Sequence, residues 1–214
     1  EIAGRVAAEV GADHHVIEVN ELELEALRNN PPERCYLCKR HLFQTLLKFA
    51  DERGAQCAID GTNEDDLHVY RPGLKALKEL GIISPLARFH ITKQEGKELA
   101  SGYGLSTSGR PSTPCMATRL PYGEPLDYAL LRRIEEGETG LKAIFTGNIR
   151  LRVHWDTERI EVDPDQMETA VKRREEICAM LKGLGFRYIT LDLAGFRSGS
   201  MDSALENAGG RYCL

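Results

Sequence analysis

Cys35 and Cys38, in Arg34-Cys35-Tyr36-Leu37-Cys38-Lys39, and Cys115, in Pro114-Cys115-Met116-Ala117-Thr118-Arg119, are the residues here best suited to chemistry. Two thiolates at CxxC spacing and one distant thiolate supply three corners of a tetrahedral soft-metal site. Three protein ligands leave one metal position open, which suits reactivity better than scaffolding. Lys39 and Arg40 beside the pair, and a helix expected to begin there, favour the thiolate form that metals bind. The same motif also serves structural zinc, with His41 as a fourth ligand, and redox dithiols.

Glu138 is the second irregularity. Leu126, Leu130, Ile134, Leu141 and Phe145 form one apolar stripe, and Glu138 falls within it. A carboxylate on a core-facing stripe requires a partner. A buried pair with an arginine and an acid lining a ligand cavity both satisfy that need. Arg150 and Arg152 alternate with Ile149, Leu151 and Val153, as Arg159 and Glu161 do with Ile160 and Val162. Such a face is ordinarily solvated and crossed by ion pairs. It could also clamp a phosphate, with Arg197 of Gly195-Phe196-Arg197-Ser198-Gly199 joining it. Gly61-Thr62-Asn63, at the end of an expected strand, could present backbone amides to a phosphate, with Asp65 and Asp66 capping the next helix.

Positioning these residues requires helices and strands in alternation. The pattern predicts helices over 2–10, 21–28 and from the CxxC to Gly54, with strands over 14–19 and 56–60. Two short helices are expected around Ser84-Pro85-Leu86, then a loop over 104–125 that carries Cys115. Beyond a boundary near Pro125 the prediction is helix (127–145), strand (149–153), strand (159–162), helix (165–181) and strand (187–193). The fold class is therefore α/β, a parallel sheet with flanking helices over 1–125, followed by a small α+β domain over 126–214. Ligands of such sheets sit at the carboxyl ends of strands, where the Gly61 loop belongs.

With 42% hydrophobic residues among 214, the chain can bury a core, and its net charge of -5 argues against a general polyanion binder such as an RNA-binding module. Six cysteines are too sparse for a secreted disulfide scaffold. Cys57, Cys178 and Cys213 receive no chemical role. No secretory signal or long apolar run appears, so a cytoplasmic, membrane-free setting is expected. The chain opens on Glu1 with a helix already under way, which reads as a fragment lacking a preceding element.

Taken together, these segments resemble the LarE family, ATP-dependent sulfur transferases of nickel-pincer nucleotide biosynthesis. The likeness runs through the cysteine segments above, Asp60-Gly61-Thr62-Asn63-Glu64-Asp65-Asp66, Tyr70-Arg71-Pro72-Gly73, Ser84-Pro85-Leu86 and Arg159-Ile160-Glu161-Val162. The resemblance implies a PP-loop ATP pyrophosphatase domain and a small second domain. It implies adenylation of a pyridinium mononucleotide carboxylate by ATP with Mg2+, then displacement of AMP by sulfur. With all three cysteines present, the chain is similar to the branch in which Cys35, Cys38 and Cys115 hold a [4Fe-4S] cluster. Other members spend the sulfur of the cysteine matching Cys115. Glu138 and Glu161 match acids of the sulfur-transfer pocket, with Cys115 as the third catalytic residue. Arg150, Arg152 and Arg197 match phosphate-holding arginines, Thr118 and Arg119 flank Cys115, and Gly61, Thr62 and Asn63 match the nucleotide loop. Expected partners are the substrate, a sulfide donor, other enzymes of the pathway and further copies in a homo-oligomer. The Ser-Gly-Gly-x-Asp-Ser loop of PP-loop proteins does not occur here, so a chain of this extent is expected to lack adenylation. A three-cysteine tRNA thiolase and a non-catalytic zinc module are the alternatives.

Overall fold

A computed structural model describes residues 1–110, 114–197, 199 and 201. Contacts group the chain into two compact units, Glu1–Arg110 and Pro111–Leu214.

The first unit is mainly helical. Helix α1 (Ile2–Val10) ends at Gly11 as expected. Residues 14–19 form no strand, and 21–28 is two short 3-10 turns, Glu21–Glu23 and Glu25–Leu27, not one helix. A strand exists only where a ladder partner does, and the described residues supply none to 14–19. Helix α2 (Arg34–Glu52) starts just after the Pro31-Pro32 break with Glu33 as its N-cap, so Cys35 and Cys38 lie inside its first turns. The 56–60 strand contracts to a parallel bridge between Ile59 and Ile83. Then come the 3-10 turn Glu64–His68, α3 (Gly73–Glu79), α4 (Pro85–Arg88) and α5 (Lys93–Gly102). Asn63 and Asp66 cap the 3-10 turn reciprocally, the capping role expected for Asp66.

The second unit is an α+β layer. After the 3-10 turn Met116–Arg119 come α6 (Tyr128–Lys142), β1 (Ile149–His154), β2 (Thr157–Val162), α7 (Met167–Lys172), α8 (Arg174–Gly183) and β3 (Tyr188–Leu191). The single helix expected over 165–181 breaks at Arg173 into α7 and α8. Strand β2 pairs antiparallel with β1 and parallel with β3, with Arg152 opposite Arg159 and Arg150 opposite Glu161. Asp127 caps α6 by accepting from the amides of Ala129 and Leu130. Ile134, Leu141, Phe145, Leu151, Ile160, Val162, Ile177 and Leu181 are buried together as its core. Because the Met116–Arg119 turn packs on α6 and β1, the Cys115 segment groups with this unit, ahead of the Pro125 boundary read from composition.

Gly137 lies where α6 approaches the sheet. A Cβ there would come within 2.7 Å of Leu151 Cδ2 and 3.1 Å of Leu181 Cδ2. The helix propensity lost at Gly137, roughly 1 kcal/mol, is thus exchanged for close packing. No described helix is long and apolar enough to cross a membrane.

Candidate active site

In the first unit, Cys35 and Cys38 stand one turn apart on one face of α2, Cys35 exposed and Cys38 half-buried. Neither is in a disulfide, nor is Cys115. Arg34 is buried beside them, donating Nη1 to the Oδ1 of buried Asn30 and Nη2 to Cys35 Sγ, the latter at 3.8 Å. Sequence reading credited Lys39 and Arg40 instead. Lys39 in fact reaches away, to Asp60 Oδ2 at 3.4 Å and over the Phe43 ring. Gly73, in the Tyr70–Gly73 segment, packs so near Cys35 that a Cβ would sit 3.3 Å from the Cys35 carbonyl oxygen.

The Gly61 loop is ordered from within. Asp60 accepts hydrogen bonds from Ser84 Oγ (2.6 Å), Thr62 Oγ1 (2.6 Å) and the Thr62 amide (3.3 Å). Burial would raise its carboxyl pKa, but the Ser84 and Thr62 bonds and the Lys39 charge outweigh that and hold it below the ordinary range. The Asn63 amide donates to Asp66 Oδ2 at 3.2 Å. Within this turn the amides of Thr62 and Asn63 therefore donate to carboxylates. Asp65 serves α5 by accepting from the Lys93 amide.

In the second unit the apolar-stripe acid has its arginine. Glu138 takes Arg119 Nε on Oε1 at 2.6 Å and Nη2 on Oε2 at 2.8 Å, a bidentate pair with both side chains at most 5% exposed. Its Oε1 also accepts the Leu151 amide at 2.9 Å, tying α6 to β1. The third arm of Arg119, Nη1, donates to Thr118 Oγ1 and to the carbonyls of Cys115 and Pro114 at 2.8, 3.3 and 3.4 Å. Thr118 Oγ1 donates in turn to the Cys115 carbonyl. One buried guanidinium thereby fixes the backbone that presents the exposed Cys115 thiol.

The arginine-bearing sheet face is not solvated, which corrects the ordinary expectation for an alternating strand. The Met116–Arg119 turn covers it, burying Arg152 and Glu161. Arg152 donates Nε to Glu161 Oε1 (2.6 Å) and Nη1 to the Thr118 carbonyl (2.7 Å), and Arg159 reaches the same Oε1 at 3.0 Å. Arg150 differs. Among the described residues it has no carboxylate partner, only the Ile149 carbonyl at 2.7 Å and the Phe196 ring 5.0 Å away. Burial and the neighbouring Arg119 charge lower its pKa. Gly195, at φ 70 and against the Val162 carbonyl, makes the turn that delivers Phe196, and exposed Arg197 comes next.

His154 continues the same face two residues beyond Arg152, and its buried Nε2 has no hydrogen-bond partner among the described residues. Sequence reading missed it, although its i+2, i+4 register with Arg152 and Arg150 was available. Cys213 lies outside the described residues.

No family model matches the chain. It is 32% identical to the pyridinium-3,5-bisthiocarboxylic acid mononucleotide synthase of Lactiplantibacillus plantarum over 203 residues, 95% of this chain and 74% of that one. The chain belongs to the LarE family. It is also similar to two proteins without assigned function. One, from Synechocystis, is 36% identical over 92% of this chain; the other, from Methanocaldococcus jannaschii, is 32% identical over 88%, and 74% of each is spanned.

Against that family the residues divide into two sets. Cys115, Thr118, Arg119, Glu138, Arg152 and Glu161 form one connected polar network in the second unit, with Arg150 near enough to feel its charges. Cys35, Cys38, Gly61, Thr62 and Asn63 belong to the first. Among the described residues, neither unit by itself gathers three His, Cys, Asp or Glu side chains able to hold a metal. The donors themselves suit iron and sulfur: accessible thiols outside any disulfide, with an N–H donor already directed at one of them.

Proposed function

We propose that this LarE-family chain transfers sulfur to pyridinium-3,5-biscarboxylate mononucleotide, giving its thiocarboxylate in nickel-pincer nucleotide biosynthesis. The observation that carries the reading is the similarity to the Lactiplantibacillus plantarum synthase along nearly the whole chain. It is supported by the exposed Cys115 thiol on a turn locked by buried ion pairs, beside a cation without a carboxylate among the described residues.

The chemistry is substitution at an activated acyl carbon. ATP with Mg2+ converts the substrate carboxylate to an acyl adenylate, releasing pyrophosphate. Sulfur then forms the C–S bond as the C–O bond to AMP breaks. A PP-loop domain would supply the nucleotide site, with Gly61, Thr62 and Asn63 at its edge. Arg150, with Arg152 and Arg197, holds the substrate phosphate, and fixing that end brings the carboxylate into position. Glu161 keeps Arg152 oriented and Glu138 keeps Arg119 oriented, and both pairs hold the Cys115 turn closed. Cys35, Cys38 and Cys115 would hold a [4Fe-4S] cluster; when bound, it supplies an iron free of protein ligand that carries the sulfide to be transferred. A sulfide donor and the other enzymes of the pathway would be its partners, and the protein acts as a homo-oligomer.

The test is single replacement of Cys35, Cys38 and Cys115 by Ala in protein reconstituted without oxygen. Iron content and mass-spectrometric detection of thiocarboxylate, with sulfide and the acyl adenylate supplied preformed, should both fall to background. Multiple turnover retained by Cys38→Ala would defeat the three-thiolate reading, and one zinc per chain without brown colour would point to a zinc module.

A further inference from the structure

A buried arginine in the first turn of a helix needs explaining. The amino-terminal end of a helix carries partial positive charge, so a guanidinium there is at the unfavourable pole of 19-residue α2. Arg34 is nonetheless only 4% exposed, and the first turn of α2 contains no acidic residue. Its place at that pole of the helix is unfavourable in itself.

The surroundings show that this placement is enforced. Asn30, fully buried and at φ 46, receives Arg34 Nη1 on its side-chain oxygen. A non-glycine residue in the left-handed region is strained, and such strain persists only where its surroundings require it. The other terminal nitrogen, Nη2, is aimed at Cys35 Sγ at 3.8 Å. Gly73 packs against the Cys35 backbone, where any larger residue would crowd its carbonyl. A neutral thiol is a weak acceptor for that N–H. A sulfur bearing negative charge accepts a charge-assisted hydrogen bond from the buried guanidinium, which is the stronger interaction.

We infer that Arg34 is a positioning residue for the Cys35 sulfur, held by Asn30 so that its N–H donates to that sulfur and raises the reduction potential of a cluster ligated there. The inference rests on the cluster reading above. Donors to cluster sulfurs, and nearby positive charge, stabilise the more negative reduced state. Arg34 also opposes loss of Cys35 as a ligand, because the guanidinium compensates the thiolate charge. Arg40, exposed on α2, makes no such sulfur contact among the described residues.

The experiment is an EPR-monitored redox titration of the anaerobically reconstituted protein, with iron quantified in each sample. In Arg34→Gln the midpoint should move to lower potential. At a poise fixed on the wild-type midpoint, the oxidised-to-reduced ratio should rise roughly tenfold, the order of one lost hydrogen bond to a charged group. Asn30→Gly, which tolerates the left-handed backbone, should shift it the same way by less, and Arg40→Gln should leave it unchanged. Should Arg34→Gln fail to fold, Arg34→Lys retains the charge without the planar fork and should fall between wild type and Asn30→Gly, or match the latter. Normal iron with an unmoved midpoint in the Arg34 and Asn30 variants overturns the inference and leaves the cluster reading standing. A wild-type protein that takes up no iron overturns both.

Discussion

Replacing Glu138 by Ala removes the carboxylate that neutralises Arg119. The guanidinium is 1% exposed and loses two N–H partners, while the Leu151 amide loses its acceptor. Breaking a buried pair by deleting one member costs about 3–5 kcal/mol, and an orphaned buried amide adds about 1–3 kcal/mol. Arg119 keeps its contacts with Thr118 and the Cys115 carbonyl, which favours the lower part of that range. The expected loss is about 4 kcal/mol, a large share of the roughly 5–15 kcal/mol available to a domain. Glu138→Gln keeps one acceptor oxygen and should lose about 2 kcal/mol. Replacing the pair together, Arg119→Met with Glu138→Leu, should recover much of the stability, because a well-packed apolar pair avoids desolvation. It should not recover sulfur transfer, because no guanidinium then grips the Cys115 carbonyl. Urea unfolding followed by Trp155, the only tryptophan, reports the unit that contains the pair. A Glu138→Ala loss below about 1 kcal/mol at unchanged m-value would refute the view that this pair holds the turn.

Other outcomes rest on the same geometry. Arg150→Gln should raise the KM for the mononucleotide at least tenfold while leaving iron content and urea midpoint near wild type, since Arg150 is in no ion pair among the described residues. Gly137→Ala should destabilise by about 1–3 kcal/mol despite the better helix former, because its Cβ would intrude on Leu151 and Leu181; a higher melting temperature would contradict that. His154 has a pKa lowered by burial first, then by Arg159 and Arg152, with Glu161 and Glu124 opposing. Its folded pKa lies below its unfolded one, so the residue is neutral in both states above about pH 6.5 and has no effect there. As pH falls below that value the unfolded chain takes the proton first and stability declines. His154→Gln should flatten the decline, and identical pH profiles for the two proteins would exclude the residue as its source.

Much of this site is local and so was readable in the sequence. CxxC spacing, the acid in the α6 stripe and the i, i+2 alternation of Arg150 and Arg152 come from the periods of helix and strand alone, and the β1–β2 pair and the capped α6 formed where expected. Alternation names two faces but not which of them is covered. Only tertiary packing laid the Met116–Arg119 turn over the arginines, turned a solvated face into a buried network and chose Arg119 for Glu138. Strands at 14–19 and 56–60 could not be settled locally either, since a strand is defined by the partner beside it. The Ser84 hydrogen bond to Asp60 likewise joins residues 24 apart in the sequence, a contact that no period encodes. The residue types alone determined which groups could react; burial, which depends on the whole chain, decided which charges had to pair and which cation was left for a ligand.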